Sequence, residues 1–312
     1  MAGSRLLVIG AGVIGSVYAG HLAEACHDVT LLARGRRLDD LGRSGLRLRR
    51  RSRPERAPQV AITGEVPAGP FDLVVVAVRR EQATAAAEQA ALVSATAVML
   101  FGNYAGMVGA LSAAAGRGRA VVAGFPGVGG RIDGGAVTYS LIAQQPTTVG
   151  AADGGLVEGP RSIARMLREA GFPTHVERDM EGWLASHAAL VVPMAAAVTA
   201  AGGHADTLAG RPDLLRAAVR ATRASYRAQR RRGRLVIGSS LRLLYLVMPE
   251  WFAVRYWSRA LRGEFGELAF AAHTRHAWAE MAALGAWLRS TLDSDTAAAA
   301  LDRVLELAAA PG

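Results

Sequence analysis

The sequence predicts two domains, an α/β domain over residues 1–178 and an all-α domain over residues 179–312. In the first part, apolar runs of strand length, beginning with residues 6–9 and 29–33, alternate with helix-like segments. This alternation is typical of βαβ units that build a parallel sheet. From residue 180 onward no strand pattern follows, and long helical stretches take its place.

A glycine-rich turn joins the first predicted strand to the first predicted helix. It reads Gly10-Ala11-Gly12-Val13-Ile14-Gly15, and a second strand follows the helix. Gly10 lets the chain leave the strand sharply, Gly12 lets the backbone approach a pyrophosphate at the helix N-terminus, and Gly15 lets the helix lie close to the sheet. Strand, turn, helix and strand in this order predict a Rossmann-type dinucleotide-binding domain, with all six turn residues at the cofactor.

The residues after the second strand indicate which dinucleotide is bound. Sites for NAD usually place an acidic residue there, which binds the ribose 2′-hydroxyl. Here the chain reads Ala33-Arg34-Gly35-Arg36-Arg37, and the first acid is Asp39. A cation at this position suits a 2′-phosphate, so Arg34 favours NADPH/NADP+ as the cofactor. The alternative is that Arg34 is one more surface arginine of an arginine-rich protein.

The composition excludes several classes of protein. The 312 residues carry a net charge of +10, all 36 basic residues are arginine, and no nucleic-acid-binding motif accompanies the arginine clusters at 47–56 and 227–234. We therefore expect no nucleic-acid partner. A single cysteine, Cys26, excludes a disulfide framework and suits a reducing cytoplasm. The longest apolar run after the first helix, 188–201, is about 14 residues and too short for a membrane span, so we expect a cytoplasmic protein with no membrane contact.

The remaining elements follow from the same patterns. Residues 136–143 and 147–151, separated by Gln144-Gln145-Pro146, have the pattern of a hairpin that closes the sheet. A helix at 161–170 and a short strand at 174–177 complete the α/β domain. Helical patterns then cover five stretches, at 180–201, 211–232, 239–262, 265–290 and 294–309.

Four features of the α/β part resemble the ketopantoate reductase family, whose members reduce ketopantoate to pantoate with NADPH. They are the glycine turn, Arg34, the strand that runs into Arg79-Arg80-Glu81-Gln82, and Asn103 after the next strand. The resemblance implies that Val78 and Asn103 contact the cofactor. It also places Arg79 where the family has a lysine that faces cofactor and substrate, and Tyr104 where it has a glycine.

The helical part departs from the family at its catalytic lysine. Family members open this part with a helix that carries a tryptophan, then the lysine, then asparagines. Trp183 fits, but alignment on it places Ala185 in the lysine position, and alignment on Pro193 places Leu184 there. The chain contains no lysine, so no other segment supplies one.

His187 is the nearest candidate proton donor. It lies one helical turn beyond Trp183, so the two side chains share a face. Reduction of a ketone produces an alkoxide, which must be protonated or held by a strong donor. We therefore interpret His187, Asn103 and Arg79 as catalytic, with Arg79 binding an anionic group or polarising the carbonyl because its pKa is too high for a proton donor. The alternative for His187 is a satisfied histidine at the domain interface.

A second polar face lies near the end of the chain. His273, His276 and Glu280 are spaced so that they share one face of a helix. We expect His273 and Glu280 to contact substrate, with ordinary contacts between helices as the alternative. Three ligands on one helix are a weak metal signal, and we expect no metal.

The apolar, aromatic stretch 241–261, interrupted by Pro249, is interpreted as core or a dimer seam. Alternatively it forms a wall for a substrate bulkier than ketopantoate. Our hypothesis is an NADPH-dependent oxidoreductase that transfers hydride to a small carbonyl substrate, other than ketopantoate, in a cleft between the domains. Helical second domains of this type often pair, which suggests a homodimer. The alternative is a non-catalytic NADP(H)-binding redox sensor or scaffold protein.

Overall fold

The chain forms two compact units, Met1–Met180 and Glu181–Gly312. The computed structural model describes residues 3–50, 53–116, 118–155, 158–263, 266–267, 278–292 and 295–309. The functions that we predict for the two domains, cofactor binding for residues 1–178 and substrate binding or dimerisation for residues 179–312, stay predictions.

The first unit alternates strands and helices over most of its length. In chain order these are β1 (Arg5–Ile9), α1 (Val13–Glu24), β2 (Asp28–Leu32), α2 (Gly35–Ser44), β3 (Leu48–Arg50), β4 (Glu55–Arg56), β5 (Ala61–Thr63), β6 (Phe71–Val76), α3 (Ala83–Leu92), β7 (Ala95–Phe101), α4 (Val108–Gly116), β8 (Ala120–Phe125), β9 (Val128–Asp133), β10 (Ala136–Leu141), β11 (Thr147–Ala151), α5 (Glu158–Glu169) and β12 (Thr174–Val176). A short 3₁₀ turn, Arg80–Gln82, precedes α3.

The main sheet has the strand order β12-β11-β8-β7-β6-β1-β2-β5. Its neighbouring strands are parallel except for the antiparallel pair β8 and β11. The chain moves outward from β1 to β2 and β5, then crosses back to β6, so the strand order reverses beside β1. Ligands of such sheets bind in the crevice at the carboxyl ends of the strands where the order reverses. The Rossmann-type α/β fold predicted from the sequence is confirmed.

A separate four-stranded sheet, in the order β4-β3-β10-β9, corrects the predicted hairpin. We expected residues 136–143 to pair with 147–151, but β10 pairs with β9, and β11 joins the main sheet beside β8. The turn between β9 and β10 consists of Gly134 and Gly135, both with positive φ angles (55° and 81°). Two-residue hairpin turns favour this conformation because its twist matches that of the strands, and glycine adopts it without strain.

Buried polar contacts fix helix α1 within the first unit. The hydroxyl of Tyr18 lies 2.6 Å from Thr147 Oγ1 and accepts a hydrogen bond from the backbone N–H of Gly127. The His21 ring spans the Ala170 carbonyl, 2.9 Å from Nδ1, and the Tyr139 hydroxyl, 2.6 Å from Nε2. Burial lowers the pKa of His21, so the neutral ring donates from Nδ1 and accepts at Nε2. The helix that follows the glycine turn is thereby tied to both sheets.

The described part of the second unit is all helical, as predicted. Its elements are α6 (Met180–Ala200), α7 (Ala205–Ala209), α8 (Pro212–Arg231), α9 (Ser239–Arg242), a π-helical turn (Leu243–Val247), α10 (Glu250–Ala260), α11 (Trp278–Thr291) and α12 (Asp295–Ala309). The helix predicted at 239–262 is divided, and α10 begins after Pro249, which serves as its N-cap. The short helix α7 has no counterpart in the sequence-based prediction.

Helix α6 is longer than its apolar run suggests. It has 21 residues, with a mean hydropathy of 1.5 over its most apolar window, and by length and composition it passes as a membrane span. The apolar run begins only at Ala188, whereas the helix, which the sequence predicts at 180–201, already contains Trp183 and Leu184. Of that window, 67 % is buried inside the protein, as in the core helix of a globular protein. Cytoplasmic localisation stays a prediction.

Candidate functional site

The glycine turn has the backbone geometry that its sequence predicts. Gly10 has a φ angle of 112°, and a Cβ there would lie 2.5 Å from the Ala77 carbonyl oxygen. A Cβ at Gly15 would lie 1.8 Å from the carbonyl oxygen of Gly10. Neither position therefore accommodates a side chain. By contrast, a Cβ at Gly12 would meet nothing within 4 Å, so the chain leaves open space on that side of the turn.

This open space adjoins the N-terminus of helix α1. Gly12 is the N-cap of α1, no side chain caps the helix, and its first turn contains no acidic residue. The first N–H groups of a helix have no intrahelical acceptor and carry a partial positive charge. Backbone N–H groups and open space together form a site that suits the pyrophosphate of a dinucleotide. Val13 and Ile14, the first residues of α1, are half-buried.

The Arg37 side chain holds the glycine turn in place through hydrogen bonds. Its guanidinium donates from Nε to the Ala11 carbonyl at 3.1 Å, and from its terminal nitrogens to the Gly135 carbonyl at 2.8 Å and to Ser16 Oγ at 3.4 Å. Ser16 Oγ itself donates to the same Ala11 carbonyl at 3.1 Å. Burial lowers the pKa of Arg37, although an arginine stays charged at neutral pH. A largely sheltered cation therefore links the turn to the β9–β10 hairpin, a function that the sequence did not reveal.

Arg34 and Arg36 remain available beside the same turn. Arg34 is the N-cap of α2, whose first turn contains no acid, and both side chains are exposed. Within the described part of the chain, neither of these side chains forms a hydrogen bond or an ion pair. The predicted 2′-phosphate ligand Arg34 thus lies at a helix N-terminus, and its side chain and that of Arg36 are exposed and unpaired.

Strand β6 lies beside β1 and β7 lies beside β6, and side chains join the carboxyl ends of β6 and β7. The Tyr104 hydroxyl donates to the Val78 carbonyl at 2.7 Å, and Arg80 donates to the carbonyls of Asn103 and Ala105 at 3.2 and 2.8 Å. Tyr104, which stands where the family has a glycine, is buried and folds back over Gly102, where a Cβ would come within 2.8 Å of its ring. The departure from the family pattern therefore has a structural role.

Two of the predicted catalytic residues lie at these strand ends. The Arg79 side chain is exposed and forms no hydrogen bond or ion pair with the described residues. Asn103 is buried, with 8 % of its surface exposed, and its Oδ1 has no hydrogen-bond donor. A buried carbonyl oxygen without a donor is unusual in a folded protein and is frequent at functional sites. Arg79, Asn103 and Val78 thus come together near the glycine turn, since β1 and β6 are adjacent.

His187, the predicted proton donor, belongs to the helical unit. Its ring stacks on Trp183 in α6, with the centroids 5.1 Å apart and the planes 6° from parallel. The two alternative alignments place either Leu184 or Ala185 at the position of the family lysine. Leu184 is fully buried and Ala185 is half-buried. The roles of His187, Asn103 and Arg79 in catalysis stay predictions.

Sequence reasoning missed a buried polar pair next to the lysine position. Ser186 donates to Gln229 Oε1 at 3.0 Å and accepts from the backbone N–H of Val236 at 3.0 Å. Gln229 in turn donates to the Ala185 carbonyl at 3.1 Å. These contacts join α6, α8 and the following loop. No local sequence motif predicts these hydrogen bonds, because the partners lie more than forty residues apart in the chain (43 for Ser186 and Gln229).

The second polar face is only partly described. His273 and His276 lie outside the described residues, whereas Glu280 lies in the first turn of α11 and is buried. Glu280 has an interaction partner. Over the described ranges, no three His, Cys, Asp or Glu side chains form a group that could hold a metal ion. Substrate contact by His273 and Glu280 stays a prediction.

The strand-order reversal, the glycine turn and the helix N-terminus define the first unit as a Rossmann-type domain. Residues 6–154 match the family described as ketopantoate reductase PanE/ApbA. The first unit is therefore similar to the domain of that family, and the resemblance read from the sequence is confirmed. No curated protein matches the chain significantly.

Solved structures with low sequence identity share the fold over nearly the whole chain. A PanE/ApbA family ketopantoate reductase from Ralstonia eutropha JMP134 has 18 % identity, a TM-score of 0.70 and 98 % coverage of both chains. The 2-dehydropantoate 2-reductase of Methylococcus capsulatus has 16 % identity, a TM-score of 0.67 and coverage of 97 % of this chain and 95 % of its own. A D-mandelate dehydrogenase in complex with NADH and anilino(oxo)acetate has 11 % identity, a TM-score of 0.74 and 98 % coverage of both chains.

Proposed function

We propose that this protein is an NADPH-dependent oxidoreductase that transfers hydride to the carbonyl group of a small substrate other than ketopantoate. The observation that carries the proposal is the open side of Gly12 at the uncapped N-terminus of α1, within a domain that matches a reductase family. The reaction consumes one ketone or aldehyde, one NADPH and one proton, and yields the alcohol and NADP+.

In this proposal the glycine turn, from Gly10 to Gly15, holds the pyrophosphate, and Arg34 binds the 2′-phosphate. Val78 and Asn103, at the ends of neighbouring strands, border the nicotinamide. The orphaned Oδ1 of Asn103 and the unfilled space at Gly12 support the fit of a dinucleotide to these residues. The cofactor, when bound, supplies the hydride.

Two side chains of the protein then bind the substrate and protonate it. Arg79 is exposed and without a carboxylate partner in the described chain, which suits binding of an anionic group or polarisation of a carbonyl. His187 donates the proton to the developing alkoxide in place of the missing lysine. Histidine can act in this way because its ordinary pKa lies near neutrality.

A substrate screen with a histidine variant tests this proposal. NADPH absorbance is followed with ketones, aldehydes and 2-oxo acids, including ketopantoate and an aromatic 2-oxo acid. We include the last because the D-mandelate dehydrogenase neighbour was solved with anilino(oxo)acetate. With a substrate found, His187→Ala is expected to lower kcat by about 100-fold or more, the usual contribution of a general acid, and to leave the Kd for NADPH unchanged.

The matched control for this test is His204→Ala, since His204 is an exposed histidine of the same unit. It should leave both kcat and the Kd for NADPH unaltered. Equal loss of activity in the two variants, or full activity in His187→Ala, would contradict the role of His187.

The preference for NADPH makes a separate prediction. Arg34→Gln combined with Arg36→Gln is expected to weaken NADPH binding by about 100-fold or more, because two charge-assisted hydrogen bonds contribute at least about 1.5 kcal/mol each. NADH lacks the 2′-phosphate, so its Kd should stay the same. Fluorescence titration with both cofactors measures the ratio. Equal effects on NADPH and NADH would refute a 2′-phosphate site at these arginines.

The second candidate is an NADP(H)-binding redox sensor or scaffold without catalytic activity. It is favoured by one observation, the absence of lysine from a chain of this family type. It predicts tight NADPH binding with no turnover of any carbonyl compound in the screen. Tight binding and no turnover would select it over the enzyme.

A further inference from the structure

Helix α10 exposes an unusual set of aromatic side chains. Trp251 is 65 % exposed, Tyr256 43 % and Phe252 36 %. Just before α10, the π-helical turn exposes Leu243 and Val247 as well. We call these five residues together the aromatic face. Trp257 of the same helix shows the contrast, since it is buried and its indole N–H donates to the Tyr245 hydroxyl.

Arginines accompany the aromatic face, and no acidic residue of the described chain pairs with them. Arg242, Arg255, Arg259 and Arg262 are exposed, and none forms an ion pair with a described residue. The one acidic residue of this stretch, Glu250, is engaged by Arg216 and Arg220. A partner for this surface must therefore be both apolar and negatively charged.

The shape of the surface distinguishes between partners. A shallow depression of about 620 Å³ runs along α10, and the described residues that line it, including Trp251, Arg255, Tyr256 and Arg259, all come from this one helix. A groove for a peptide or a small molecule needs a second wall to surround its ligand. A depression with a single helix as its wall instead offers the side chains of that helix to an extended surface.

Charge argues against a second copy of this chain as the partner. The protein has a net charge of +10, and a two-fold interface through α10 would bring the unpaired arginines of both copies together. Like charges facing each other across an interface oppose association. Association with an anionic surface, by contrast, is favoured by each of these arginines.

We propose that the aromatic face and its arginines dock the protein peripherally on an anionic lipid bilayer. Tryptophan and tyrosine concentrate at the boundary between headgroups and acyl chains. Helices with aromatic and aliphatic residues beside cationic ones lie in that boundary without crossing the membrane. The sequence-based expectation of no membrane contact considered spanning segments, and this surface does not span.

Vesicle sedimentation with the full chain tests the proposal. We expect the protein to sediment with vesicles of phosphatidylcholine mixed with phosphatidylglycerol, and not with phosphatidylcholine alone. Arg255→Gln with Arg259→Gln should weaken partitioning by about 30-fold, since each arginine near an anionic surface contributes about 1 kcal/mol and 1.4 kcal/mol is tenfold. Trp251→Ser with Tyr256→Ser should weaken it to a similar or larger extent, because it removes the side chains that enter the boundary.

The control variant makes the same change in charge, at the same residue spacing, on a different helix. Arg161→Gln with Arg165→Gln alters two exposed arginines of α5, also four residues apart, and should leave partitioning unaltered. The proposal is overturned if vesicles with and without phosphatidylglycerol bind equally, or if the α5 pair matters as much as the α10 pair. Light scattering measures the oligomeric state as the last check. If the protein is a dimer and Trp251→Ser dissociates it, the aromatic face is a contact between copies and the proposal is overturned.

Discussion

Replacement of Gly12 by alanine is expected to weaken NADPH binding by about 100-fold while the protein keeps its fold. A Cβ at Gly12 meets no atom within 4 Å, and the backbone angles there (φ −70°, ψ −169°) are ordinary for alanine. The methyl group instead fills the space that a pyrophosphate would occupy at the N-terminus of α1. Loss of two hydrogen bonds to a charged group, at about 1.5 kcal/mol each, corresponds to about 100-fold.

Two measurements on this variant separate binding from folding. Isothermal titration gives the Kd for NADPH, and thermal unfolding should show a Tm close to that of the unaltered protein. Gly109→Ala is the matched control, because its Cβ also meets nothing within 4 Å but belongs to α4 and not to the glycine turn. Gly15→Ala gives the opposite pattern, since its Cβ would lie 1.8 Å from the Gly10 carbonyl oxygen, and a lowered Tm is expected. Normal NADPH affinity in Gly12→Ala would place the pyrophosphate elsewhere.

The fold could be predicted because its signals are local in the chain. Buried parallel strands give unbroken apolar runs, as in β6, where Leu73, Val74, Val75 and Val76 are all buried. The glycine turn is equally local, since strand, turn and helix fall within Arg5–Glu24. The hairpin error has a local cause as well. The pair Gly134-Gly135 is a strong turn signal and joins β9 to β10, whereas Gln144-Gln145-Pro146 connects two strands that do not pair.

The candidate site could be predicted less completely, because its contacts join distant parts of the chain. Arg37 lies 26 residues from Ala11 and 98 residues from Gly135, and nothing in the sequence distinguishes it from Arg34 or Arg36. Tyr104 likewise reads as a mismatch to a glycine until its hydroxyl is seen to bind the Val78 carbonyl. Spacing reveals which residues share a helix face or follow a strand. Spacing does not reveal which of several arginines donates its hydrogen bonds to backbone carbonyls.

Arg37→Met is expected to weaken the binding of NADPH and NADH by the same factor, about tenfold or more. The side chain donates to the carbonyls of Ala11 and Gly135. Without it the Ala11 carbonyl keeps only the Ser16 hydroxyl as a side-chain donor, and the Gly135 carbonyl loses a charged donor in a largely sheltered place, which costs about 1–3 kcal/mol. The turn would then hold the pyrophosphate less firmly, and the pyrophosphate is common to both cofactors. Some loss of Tm should accompany the change, because Arg37 also links the turn to the β9–β10 hairpin.

The comparison with Arg34 and Arg36 makes this result diagnostic. If Arg37 positions the turn, its removal affects NADPH and NADH alike, whereas Arg34→Gln with Arg36→Gln affects NADPH alone. Arg37→Lys should recover little of the lost affinity, since an ammonium group cannot donate to two divergent carbonyls with the planar geometry of a guanidinium. A loss confined to NADPH in Arg37→Met would show instead that Arg37 turns to the 2′-phosphate when the cofactor binds. The ratio of the two dissociation constants therefore distinguishes an arginine that shapes the cofactor site from one that selects the cofactor.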